Sequence, residues 1–150
     1  AICNSFKTEI LTATHNFTNA TNTFKLALYS SNSATLSKST TVWAAASDPT
    51  ADPTDTYEVT TTGSGYTSGG NSLTSTTPAL SGDTACCLFA STSWGSTASF
   101  TARGCLIYNS SESNKAVCVV NFGSDKTVTT GTFTVEFPAQ TAGNAIIQIA

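Results

Sequence analysis

Charge is what this sequence has least of. Charged residues fill 10% of its 150 positions, against roughly a quarter in an ordinary globular domain. With six Lys and Arg, nine Asp and Glu and a net charge of −3, it has no basic patch to hold a phosphate backbone, which argues against nucleic acid as a partner. Apolar runs are short as well. None approaches the roughly 18 residues that a membrane-crossing helix needs.

Imidazole is almost missing. His15 is the one histidine, and no Ser-centred nucleophile elbow or reactive-Cys context stands elsewhere for it to serve. It reads as a satisfied or exposed side chain. No CxxC pair exists either, which with a single His argues against a zinc site. Gly63-Ser-Gly65 and Gly69-Gly70 form neither a GxGxxG nor a P-loop, and they read as tight turns or a bulge. Asp48, Asp52 and Asp55 are the one carboxylate cluster, but Pro49 and Pro53 break any EF-hand spacing. No repeat of fixed period is present. These gaps predict a protein without catalytic turnover and without cofactor or metal.

Ser and Thr take the place of charge and supply about a third of the chain. Thr suits a pleated surface because it is β-branched, and Ser suits turns. A hydroxyl-rich, weakly charged surface desolvates cheaply and favours assembly with neighbours. The length predicts one domain over residues 1–150, able to bury its own core.

A helix is predicted over 4–15, capped by Asn4 or Ser5, with Phe6, Ile10 and Leu11 on one face. It forms an N-terminal helical arm over about residues 1–15, too short to stand alone. From Thr23 the period changes to two: Phe24, Leu26 and Leu28 point one way, Lys25, Ala27 and Tyr29 the other. Residues 47–55 read as a proline-broken loop and Tyr57-Glu-Val59 as a short strand. Further strands are predicted at 72–80, 84–90, 98–102, 104–108, 115–121, 127–137 and 144–149. Short strands with frequent turns predict an all-β fold, a β-sandwich or jelly roll with one short N-terminal helix.

The five cysteines are Cys3, Cys86, Cys87, Cys105 and Cys118. Most read as small buried hydrophobes. A symmetric hairpin about the polar stretch 109–114 places Tyr108 opposite Lys115 and Cys105 opposite Cys118. That pair is either a strained cross-strand disulfide or two thiols packed side by side. Cys86 and Cys87 alternate across their strand, which predicts one of them exposed. With Cys3 on a free terminus, it is a candidate for a bond between subunits. Cys3, Phe6, Ile10, Cys86, Cys87, Cys105 and Cys118 are thus the candidate assembly or disulfide positions.

Five stretches carry a family resemblance: Asn4-Ser-Phe-Lys7, Phe24-Lys-Leu-Ala-Leu-Tyr29, Gly65-Tyr-Thr-Ser-Gly-Gly70, Phe100-Thr-Ala-Arg-Gly-Cys-Leu-Ile-Tyr-Asn109, and Asn121-Phe-Gly-Ser-Asp-Lys126 with Gly131-Thr-Phe-Thr134. In this order, over most of the chain, they resemble small virion proteins encoded among the structural genes of tailed bacteriophages. The loop at 47–56 and the extra cysteines depart from that pattern. The resemblance implies a virion structural protein and no enzyme. Ala1, a small residue of the kind left when an initiator Met is removed, predicts synthesis in the host cytoplasm without a cleaved leader. A capsid decoration (cement) protein is the leading expectation, with a tail, collar or fibre component as the alternative. Its partners would be the major capsid protein or tail components and copies of itself. A module binding host-surface glycans, with Tyr57, Tyr66 and Trp94 stacking on sugars, is the competing class.

Overall fold

The computed structural model describes residues 1–18, 21–30, 36–44 and 57–150. The loop expected at 47–55, with Asp48, Asp52 and Asp55, lies outside the described residues. One helix, α1 (Asn4–Leu11), precedes seven strands: β1 (Phe24–Tyr29), β2 (Asn71–Leu73), β3 (Ala79–Ser81), β4 (Thr84–Cys87), β5 (Thr92–Asn109), β6 (Lys115–Val135) and β7 (Ile147–Ile149). Strands and bridges take 48% of the described residues and the helix 6%, so the class is all-β. Two antiparallel sheets give it a sandwich-like form, one in the order β2-β1-β5-β6 and the other β3-β4-β7.

β1 is buried on both sides, not one. Ala27 and Tyr29, expected to face outward, are as inaccessible as Leu26 and Leu28. The cover on that second face is the glycine-rich segment. At Gly70, with φ of +69°, a Cβ would stand 1.7 Å from the Leu26 carbonyl oxygen, so no other residue fits against the strand there. Glu58 holds the segment in shape by accepting hydrogen bonds from Tyr66 Oη (2.7 Å) and from the Gly69 amide (2.6 Å). Tyr66 Oη in turn accepts the Leu28 amide (3.0 Å), and Tyr108 Oη donates to the Gly69 carbonyl (2.8 Å). Trp43 stacks on Tyr108 at 5.2 Å. The strand expected at 57–59 is a single bridge, Glu58 to Tyr29.

The strands expected at 98–102 and 104–108 join as β5, and those at 115–121 and 127–137 join as β6. The joins are irregular: Ala102 pairs with Lys126 but Gly104 with Asn121, so residues 122–125 bulge outward. A second irregularity overturns the expected thiol pairing. Asn109 pairs with Lys115 and Tyr108 with Ala116, but Ile107 pairs with Cys118, so Val117 is an extra residue on its strand. Cys105 therefore faces Val120, and Cys118 is its diagonal neighbour. The predicted strand 72–80 breaks into β2, a bridge from Ser75 to Phe89, and β3.

Candidate functional site

α1 has weak reasons of its own to be a helix. Its N-cap is Cys3, which makes no side-chain capping bond, so neither Asn4 nor Ser5 plays the expected role. The first turn holds no acid, and eight residues are marginal in isolation. Tertiary anchors supply the rest. The Cys3 amide donates to Val117 O (3.0 Å), the Asn4 amide to Lys38 O (2.8 Å), and Ile2 bridges to Cys118 on β6. The N-terminal helical arm, too short to stand alone, is thus laid along the domain, with Cys3 inaccessible and Phe6 buried among His15 and Phe17.

Beneath α1 sits a polar clamp that no sequence spacing announces. Glu9 receives Lys115 Nζ on one carboxylate oxygen (2.8 Å) and His15 Nε2 on the other (2.9 Å). On the far side of the ring, Asn109 Nδ2 donates to His15 Nδ1 (3.1 Å) and to Asn22 Oδ1 (3.0 Å). Nδ1 is thus the acceptor, which places the ring proton on Nε2, donated to Glu9. Burial pushes the Glu9 carboxyl up, but the hydrogen bonds from Lys115 and His15 and the charge of Lys115 outweigh it and hold the group below its ordinary value. With both ring nitrogens satisfied and the side chain sealed from solvent, His15 is a structural tie between helix and hairpin turn.

Between α1 and the smaller sheet runs an apolar groove with a volume of about 430 Å³. Phe6, Ile10 and Leu11 form one wall, and Ala85, Ile147 and Ile149 face them. Leu80 pairs with Ala85, and Ala85 with Ile149, so these three form a cross-strand row on one face. Leu11 is 86% exposed, Leu80 75% and Ile149 60%, which leaves the groove and its border bare of polar cover. Among the described residues, Lys7 is the one charged side chain lining it. Leu11 is off the buried face expected of it because it lies five residues, about 140° of helical rotation, from Phe6.

The candidate positions divide. Phe6, Ile10, Cys86 and Cys87 border the groove. Cys105 and Cys118 lie in the four-stranded sheet, with Cys3 beside Cys118. All five cysteines are free thiols and buried, so the exposed member expected of the Cys86–Cys87 pair is not found. β4 lies between β3 and β7, Cys87 packs in the core, and Gln140, from the segment after β6, reaches across to the Cys86 carbonyl (3.0 Å), so both thiols are covered. Burial pushes Cys3 and Cys87 up to about 11 and Cys118 to about 12, with Cys105 raised further. Such thiols are poor nucleophiles. The aromatic platform is overturned for two of its three members. Tyr66 and Trp94 are 3% and 4% exposed and stack on each other at 5.9 Å, packed against Phe100. Arg103 reaches Asp125 at 3.4 Å in a solvated pair along the hairpin. Among the described residues, no group of three or more His, Cys, Asp or Glu side chains gathers in a way that could hold a metal ion. Among them, too, no helix is long and apolar enough to cross a membrane.

No protein family, no curated protein and no solved structure matches the chain.

Proposed function

We propose that this protein is a bacteriophage virion structural component, a capsid decoration protein that docks on the head lattice through the groove beside α1. The observation that carries the reading is that groove, open and apolar, on a chain with very little charge. Leu11 and Ile149 reach into solvent at its edges. Contiguous exposed apolar surface on a folded domain is characteristic of a protein-binding face. The sequence likeness to phage virion proteins supports the same assignment. The role is non-catalytic, and the partners are the major capsid protein and further copies of the chain.

Quantitative mass spectrometry of purified virions tests the proposal. Hundreds of copies per particle are expected of a decoration protein. A handful would move it to the collar or a fibre, and absence from the particle would overturn the reading. The groove has its own test in Leu11→Asp combined with Ile149→Asp. Both positions are exposed, so melting should be unchanged while incorporation falls at least about tenfold. Full incorporation of that variant would remove the groove as the contact.

A further inference from the structure

A second hollow, of about 420 Å³, opens at the far end of the β5–β6 hairpin. Its floor is Phe122, Phe133 and Val135, all half-buried, and its rim carries Lys126 and Glu136. The bulge at 122–125 makes this possible. It lets Phe122 and Lys126 border the same hollow as residues 133–136, which lie well along the strand from them. Phe133 is held from below by Phe100 at 5.1 Å and Trp94 at 6.0 Å, both buried, so the floor is preformed. β6 is the outermost strand of its sheet, and beyond the Ile2 and Val42 bridges to its other end no described residue pairs with its outer edge, so this hollow lies beside an open edge.

We infer that this hollow is a two-fold self-association surface, in which Lys126 of each copy meets Glu136 of the other. A two-fold contact sets residue i against j and j against i. A patch with one charge of each sign on its rim is therefore complementary to itself. Among the described residues, neither Lys126 nor Glu136 takes part in an ion pair within its own chain. A partner surface of uniform sign would attract one and repel the other. The groove beside α1 differs in this respect: with Lys7 as its one charge, two copies joined there about a two-fold axis would bring like charges together. The two faces thus suit different occupants.

This inference deepens the assembly role proposed above, but its test needs no particle. Sedimentation equilibrium of the full chain from micromolar to millimolar concentration should show a reversible monomer–dimer equilibrium. Lys126→Glu and Glu136→Lys should each weaken it about tenfold or more, because symmetry doubles every lost pair. The double variant K126E/E136K restores opposite signs and should dimerise like the original. Both side chains are exposed, so folding is unaffected. A wild-type chain that stays monomeric overturns the inference, as does a double variant as weak as the singles. Either result leaves particle incorporation to be judged on its own, and absence of the wild-type chain from purified particles, with the dimer intact, would sink the functional reading alone.

Discussion

The β5–β6 hairpin has two halves built from the same two strands. In the near half, Gly104–Tyr108 and Ala116–Val119 are almost wholly buried. β1 flanks β5 on one side, while Ile2 and Val42 bridge to β6 on the other. In the far half, from Asn121 to Val135, β6 is exposed or half-buried throughout. The sequence differs accordingly. Ala116-Val-Cys-Val-Val120 is continuously apolar, as suits a strand covered on both faces. Thr132-Phe-Thr-Val-Glu136 alternates, as suits a strand covered on one. One hairpin thus serves as core at one end and as surface at the other.

The sharpest test of that division is truncation. Leu106→Ala, at a fully buried site, should cost about 2–5 kcal/mol in urea unfolding. Val135→Ala, half-buried in the far half, should cost about 1 kcal/mol or less. Equal costs would erase the distinction. Glycine replacements come next. Gly104→Ala would put a methyl 2.5 Å from the Val120 carbonyl oxygen and should cost about 2–3 kcal/mol. Gly123→Ala meets nothing within 4 Å, and only its φ of +80° opposes it, at about 1 kcal/mol.

For folding stability, charge should matter only in the near half. The folded Glu9 carboxyl is depressed below its unfolded value of 4.5, so its contribution is complete above that pH and fades as pH falls through the folded value. Glu9→Gln should remove about 1 kcal/mol at neutral pH and flatten the acid side of the stability profile below about pH 4.5. Arg103→Ala breaks a pair that is 38% and 46% exposed and should change stability by under about 0.5 kcal/mol. The smallest expected response is that of the thiols. Ellman's reagent at pH 8 should release no thiolate from the folded chain, and all five cysteines should react in denaturant. Rapid reaction of even one in the native state would contradict the burial described here.

Where the residues alternate or turn signals are plain, the fold was legible in advance: the class, the helix near the N-terminus, β1 and both arms of the hairpin. The hairpin's register was not. Alternation fixes register by assigning each residue a face, and Ala116–Val120 is apolar in both phases, so the extra residue at Val117 leaves no trace in the pattern. The exposed aromatics expected at Tyr66 and Trp94 fail for a related reason. Each lies among Gly, Ser and Thr, and only the packing of distant segments buries them. The Glu9–His15 clamp draws on positions 9, 15, 22, 109 and 115, which the chain brings together only once the sheet exists. Of the groove, its helix wall was readable, but its strand wall depends on β7 adding to β4.

The bridge from Ile2 to Cys118 has a consequence for how the protein is made. The seat for Ile2 and Cys3 is built from β6, a strand that leaves the ribosome long after them. At roughly 5–20 residues per second, Cys118 follows Ile2 by on the order of ten seconds. Through that interval Phe6 has His15 and Phe17 beside it but no sheet to close over them, and the nascent chain carries an unsheltered apolar segment. The fold is therefore one that completes after synthesis, with the N-terminal helix as the closing piece, and the emerging chain is a natural client for a chaperone.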